Sequence, residues 1–175
     1  MHRILQLIAA SPILLLVMGC GYHTLGSATH IPEDVHTIAV PFFQNRTQFS
    51  HTEVLLTQAT VQELTTRTKY RVLPREDAGD ADALLKGTVL SETIVPYTYN
   101  VTTGQSSSYM ITLTASVSLT DREGRELYRH DGYTFHQQYE ATSDLSTFVQ
   151  EDSPAMGRLS RDFAQSLVSD MLESF

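Results

Sequence analysis

Asp77, Asp80 and Asp82 lie within six residues of each other, and carboxylates spaced this way can converge on a calcium ion. A calcium loop of the EF-hand kind also places a glycine after the third ligand and a glutamate further on. Here Ala83-Leu84-Leu85 follows, so the stretch reads as a solvated turn. The histidines, at 2, 23, 30, 36, 51, 130 and 136, are scattered. His130 and His136 fall in one expected strand, an even number of residues apart, and so should face the same way. At strand rise they would be roughly 20 Å apart, too far to share a metal. Asp144, Glu151 and Asp152 read as solvent-facing. The chain has no G-x-S-x-G, H-E-x-x-H, P-loop or G-x-G-x-x-G pattern. No catalytic and no metal-binding residue is expected, and an enzyme is not.

One nucleophile stands apart. Cys20, the only cysteine, follows an apolar run from Ile4 to Met18 that contains Gln6, Ser11 and Pro12. A spanning helix needs about 20 apolar residues, so this run reads as a secretory leader with a weakly basic head at Arg3. A lone thiol cannot close an intramolecular disulfide. Val17-Met18-Gly19-Cys20 resembles the lipobox of bacterial lipoproteins, with a small residue before the nucleophile. That resemblance implies cleavage after Gly19, and a diacylglycerol and an N-acyl chain on Cys20. No other cofactor is expected. Each buried methylene adds about 0.8 kcal/mol of membrane affinity, so three chains would hold firmly. Gly21 stands where an aspartate would resemble an inner-membrane retention signal. The expected location is the periplasmic side of the outer membrane, reached through this lipid anchor.

Without residues 1–19 the chain keeps 156 residues, with 11 Lys and Arg against 20 Asp and Glu. That is enough for one domain with a core. The acidic balance argues against nucleic acid, whose phosphates need clustered Lys and Arg.

Residues 20–36 read as a tether and residues 37–175 as one domain. The spacing predicts a strand in "TIAVPFF" (37–43) ending near Pro41, with "QNRT" as a loop. Ser50-His51-Thr52-Glu53 has the form of a capping box, leading a helix to about Arg67 with Val54, Ala59, Val61 and Leu64 on its apolar side. "YRVLPRE" (70–76) is a second short strand. Residues 84–99 form a third, with a bend at Gly87 and an end near Pro96. From Tyr109 to Leu119 apolar residues alternate with Thr and Ser, a half-buried antiparallel strand. "DREG" (121–124) is a hairpin turn, and a strand over about 125–139 repeats the alternation. Asp152-Ser153-Pro154 starts a last helix, whose Met156, Leu159, Phe163, Leu167, Val168, Met171 and Leu172 recur at helical spacing. The expected fold is α+β: a two-layer sandwich, two helices on one face of a mixed, mostly antiparallel sheet of about four strands.

Three features occur in order: "GCGYHTLG" after a leader, "VHTIAVPFFQNRT" before a helix, and "ADALLKGTVLS" followed by "SSYMITLTASVSLTDREGRELY". Together they resemble the LPS-assembly lipoproteins, the LptE-like family. The resemblance implies a plug inside a large outer-membrane β-barrel, an LptD-like LPS-assembly protein, that delivers lipopolysaccharide to the outer leaflet. It implies no turnover. It places the barrel or lipid contact near residues 97–109, at Tyr97, Tyr99, Asn100 and Tyr109, with Lys86, Arg122, Arg125 or Arg129 as basic residues for lipopolysaccharide itself. "TIAVPFFQNRT" also resembles lipoprotein subunits of curli-secretion-like pores. A periplasmic lipid-binding module is the third reading.

Overall fold

The computed structural model describes residues 31–73, 79–140 and 148–173, with side chains of the last segment from Pro154. Cys20, the leader, Asp77 and Asp144 lie outside the described residues, and so do the side chains of Glu151 and Asp152.

The elements are β1 (Thr37–Ala39), β2 (Gln44–Asn45), α1 (Thr52–Arg67), β3 (Arg71–Leu73), β4 (Ala83–Tyr99), β5 (Ser106–Asp121), β6 (Glu126–Glu140) and α2 (Phe148–Glu173). The described residues form one mixed sheet with two helices. The sheet has six strands rather than about four, in the order β3-β1-β4-β5-β6, with β2 also on β4. The strands expected in 37–43 and 70–76 are present as the three-residue β1 and β3, with β1 pairing in parallel with β3 and β4. The strand not expected is β2, which adds two residues to β4 and is too brief to leave a two-residue period in the sequence. The long strands β4, β5 and β6 are antiparallel.

β5 shows the expected alternation. Ile111, Leu113, Ala115, Val117 and Leu119 are buried, and the Thr and Ser between them are half-buried on the other side. α2 lays Met156, Leu159, Phe163, Leu167, Val168 and Met171 on the buried side. Phe163 sits edge-on to Phe43, Tyr133 and Phe135, with centroids 6.1, 5.8 and 5.8 Å away. Ile31 and Val35, from the stretch read as a tether, are buried in the same core.

Several local expectations are corrected. α1 has no capping box: His51, at φ 73°, occupies the cap position without a side-chain hydrogen bond. Glu53 instead accepts from Asn45 Nδ2 at 2.7 Å. The buried side of α1 is Thr52, Leu56, Thr57, Thr60 and Leu64, so of the expected apolar set only Leu64 is fully buried. The threonines enter the core because their hydroxyls are used: Thr57 and Thr60 donate to the carbonyls of Glu53 and Leu56 at 2.6 and 2.8 Å. "QNRT" contains β2 rather than being all loop. β4 runs past Pro96 to Tyr99, with pairing shifts at Val89/Ser91 and beside Pro96, where a residue without an N–H is tolerated. α2 begins at Phe148, so Pro154 lies inside the helix rather than at its start.

β6 holds the most consequential difference. Val117 pairs with His130 and Ala115 with Tyr133, two residues of β5 against three of β6. This bulge reverses the facing of everything after it. His130 therefore stacks on Tyr133 on the helix side, with centroids 3.8 Å apart, while His136 lies on the other face against Thr112. The two histidines do not face the same way.

Candidate functional site

Both helices pack on the same face of the sheet, in one core with the inward residues of β4, β5 and β6. Among the described residues the other face is uncovered and carries hydroxyls in cross-strand rows. Thr114 lies between Ser91 and Thr134, Thr112 between Thr93 and His136, and Ser118 between Lys86 and Arg129. Neighbouring hydroxyls bond each other sideways: Thr114 with Thr134 at 3.2 Å, and Thr112 with His136 Nδ1 at 3.0 Å. The rows follow from the sequence pattern of β5, whose polar positions are all Thr or Ser between Thr112 and Thr120.

At one end of this face the segment after β1 folds over the sheet edge. Pro41, Phe42 and Gln44 then border a hollow of about 490 Å³ with Lys86, Ser118 and Arg129. Gly87 makes this turn-over possible. The Phe43 ring occupies the inner side where a Cβ on Gly87 would sit, and Phe42, 59% exposed, remains on the outer side. Lys86 forms no ion pair among the described residues. Arg129 is held by Glu126 at 3.1 Å and Asp131 at 2.7 Å, and these hydrogen bonds raise its pKa. The hollow thus offers one uncommitted cation, several hydroxyls and an exposed aromatic ring, while its guanidinium is already paired with two carboxylates, one of which, Asp131, also lines the hollow. Lys86 is the group there that is free to meet an anionic headgroup.

The other two basic candidates lie in the β5–β6 turn, at the same end of the strands as the hollow but a few residues beyond it, and serve the turns. Arg122 donates to the carbonyls of Ala81 and Asp80 at 2.9 and 2.6 Å and pairs with Asp82 at 3.1 Å. Arg125 binds Asp121 at 2.6 Å. The carboxyl of Asp121 is buried, which pushes its pKa up, but the backbone and side-chain hydrogen bonds from Arg125 outweigh this and the net shift is downward. Asp82 Oδ2 accepts from the Thr37 hydroxyl at 2.7 Å and from the amides of Thr37 and His36 at 2.9 and 3.0 Å. The Thr37 hydroxyl bond is the main reason its pKa is lowered. Asp82 therefore ties β1 to β4. Among the described residues no group of three His, Cys, Asp or Glu is placed to hold a metal.

The tip residues separate into three roles. Tyr97 and Tyr99 are exposed at 57% and 60%. Asn100 shapes the turn, its side-chain oxygen accepting from the amides of Thr102 and Thr103 at 2.9 and 3.1 Å. Tyr109 stacks on Tyr139, with centroids 5.6 Å apart, and packs rather than projects. Sequence reasoning missed Phe42, Val95 and Val101, all exposed. The signal available was the uncharged run from Thr93 to Thr120, between Glu92 and Asp121. It also missed the polar chain under β6. Tyr133 donates to Asp170 at 2.6 Å and is hydrogen-bonded to Tyr128. Burial first, then these bonds, hold the Tyr133 hydroxyl protonated far above its ordinary range.

Comparison with known proteins gives a consistent picture. The family model for LptE, lipopolysaccharide assembly, matches residues 35–171. Among curated proteins, none matches this sequence. Solved structures share the fold at low identity. The rare lipoprotein B of Shewanella oneidensis is 12% identical with a TM-score of 0.53, over 77% of this chain and 92% of that one. An uncharacterized lipoprotein B from Nitrosomonas europaea is 8% identical with a TM-score of 0.53, over 79% and 83%. A putative lipoprotein from Caulobacter crescentus is 11% identical with a TM-score of 0.51, over 74% and 87%.

Proposed function

The chain belongs to the LptE lipopolysaccharide-assembly family, and on that premise we propose that it is an outer-membrane lipoprotein that plugs and helps assemble a β-barrel delivering lipopolysaccharide. The family match over residues 35–171 carries this reading. The uncovered face supports the plug. A barrel lumen is polar and wet, and an element seated in it needs hydrogen-bonding side chains at close spacing and few bare apolar patches. The rows of Thr, Ser, His and Gln on β4, β5 and β6 have that character. Cys20 carries the lipid anchor, and no helix among the described residues is long and apolar enough to cross a membrane. Lys86 holds a phosphate of lipopolysaccharide, with Phe42 against the adjoining apolar part. The protein performs no turnover; it positions and seals.

The test is affinity purification of the tagged protein from detergent-solubilised outer membranes, with mass spectrometry of what accompanies it. One large β-barrel protein at equal stoichiometry is the expected result. A ring of this chain alone, or no barrel, overturns the plug reading and favours a pore subunit or a free lipid-binding module.

A further inference from the structure

The chain carries a formal charge of −8, yet from Leu64 to Arg75 it has four cations and no acidic residue. Arg67, Lys69 and Arg71 are the described members of this run, and all three are exposed. They sit where α1 ends and β3 begins, and β3 is the outermost strand on its side of the sheet.

The backbone here is fixed. The Thr68 amide and hydroxyl both donate to the Leu64 carbonyl, at 3.1 and 2.6 Å, and the Tyr70 amide donates to the Thr68 hydroxyl at 3.3 Å. Tyr70 is buried between Lys69 and Arg71, so the two cations stand out from a rigid turn. Arg67, in the last turn of α1, pairs with Glu63 at 3.1 Å and donates to the Ser169 hydroxyl at 3.0 Å. Lys69 and Arg71 form no ion pair among the described residues. They also lie past the last turn of α1, where a helix dipole gives a cation little. Among the described residues nothing accounts for their charge.

The partner follows from where the chain enters the fold. The Arg71 amide donates to the His36 carbonyl at 2.9 Å, so the patch lies beside the point where the residues before Ile31 join. Ile31 follows Cys20 by 11 residues, a span of at most about 40 Å when fully extended. A lipid anchor on Cys20 therefore keeps this end of the sheet near a bilayer surface. We propose that Lys69 and Arg71 form a headgroup-contact patch: they rest on anionic phospholipid headgroups of the leaflet that holds the Cys20 chains, and so fix the orientation of the anchored domain. The proposal rests on the lipid anchor given under the proposed function. Charge attraction reaches about one Debye length, roughly 8–10 Å at ordinary ionic strength. An acidic domain thus needs a local basic patch to lie close to an anionic surface. The contact leaves the hydroxyl face free for a barrel lumen. Two strands, β1 and β4, separate β3 from β5, and the β4–β5 tip stands at the opposite end of β4 from β1.

The chain has no tryptophan, so Thr66→Trp, at the exposed end of α1, gives a single reporter beside the patch. Val101→Trp, in a second chain, gives one at the exposed tip. Both full lipidated proteins are reconstituted into phosphatidylcholine vesicles carrying a trace of dansyl-headgroup lipid, with and without phosphatidylglycerol. The expected result is energy transfer from the Thr66→Trp reporter that rises severalfold with phosphatidylglycerol. It falls back in about 1 M salt, where the screening length is about 3 Å. Transfer from the tip reporter stays low throughout. Lys69→Glu with Arg71→Glu removes the rise. Arg158→Glu with Arg161→Glu keeps it; this pair makes the same charge change at two exposed α2 positions with no ion pair among the described residues. Circular dichroism checks that each variant is folded. Equal transfer with neutral and anionic vesicles overturns the proposal. A rise lost equally in both charge-reversed pairs also overturns it, because net charge then explains the effect. Tip transfer as high as that of the Thr66→Trp reporter sinks the orientation. A rise seen only with a barrel protein present overturns it in favour of an acidic protein partner. Failure to float with the neutral vesicles refutes the anchor, and that result is distinct from failure of the patch.

Discussion

The ring of Phe43 fills the space above Gly87 so closely that a Cβ on Gly87 would fall 2.4 Å from two ring carbons. Phe43 in turn stands edge-on to Phe163 of α2, so this contact links the sheet edge, the turn-over segment and a helix. Gly87→Ala should therefore destabilise by about 1–3 kcal/mol, the usual cost of overpacking. Denaturant unfolding measures it as a lower midpoint. Phe43→Leu in the same chain should recover part of the loss, a coupling expected of residues in contact. Additive losses in the double variant would show that the two do not press on each other.

Asp82 gives the fold an acid limit. Its folded pKa lies below the ordinary carboxylate value of 3.8, chiefly because the Thr37 hydroxyl binds it. A depressed folded pKa means that the stabilisation is complete above about pH 4 and is lost as pH falls through the lower folded value. Asp82→Asn should lower stability at pH 6 and flatten the stability profile as pH falls below the ordinary carboxylate value of 3.8. Melting temperatures across that range test it. An unchanged acid slope would assign acid sensitivity to other carboxylates, Asp121 first.

The sequence made some of this legible and hid the rest for physical reasons. β5 was plain because its alternation runs uninterrupted from Tyr109 to Leu119, and the following turn was plain because Gly124, at φ 82°, closes it. The strands expected in 37–43 and 70–76 are present as β1 and β3, each cut to three residues, whereas β2 is two residues long and left no pattern in the expected loop. The capping box failed because Asn45, which lies outside the local motif, takes Glu53 away. At the hollow, Lys86 and Arg129 were chosen by charge alone; what joins them is the register through Ser118, which only pairing reveals. Val101 carries no periodic signal between Asn100 and Thr102.

Lys86 and Arg122 separate binding from architecture. Lys86 forms no ion pair among the described residues and borders the hollow, whereas Arg122 is committed to two carbonyls and Asp82. Lys86→Ala should weaken lipopolysaccharide retention about fivefold, near 1 kcal/mol for an exposed charge contact, and should do so less at high salt. Arg122→Ala should leave retention unchanged while lowering the unfolding midpoint. Labelled lipopolysaccharide titrated at two salt concentrations decides it. Equal loss in both variants would remove the hollow as the binding place.

Gly132 tests whether the bulge in β6 sets the two faces of the sheet. A Cβ at Gly132 meets nothing within 4 Å, so Gly132→Ala should change stability by no more than about 0.5 kcal/mol. Deleting Gly132 is a different matter. Three residues of β6 now span two of β5, and removing one restores an even count, so the residues on one side of the site must turn over. Tyr133 cannot turn without leaving Phe163, 5.8 Å away, and its bond to Asp170. If Tyr133 stays, Arg129 leaves the row it shares with Ser118 and Lys86 and points toward the helices. The deletion should cost about 3–5 kcal/mol, the range for losing a buried aromatic side chain. A deletion variant as stable as the parent in denaturant would show that β6 can slide freely, and the hydroxyl face would then not be fixed by register.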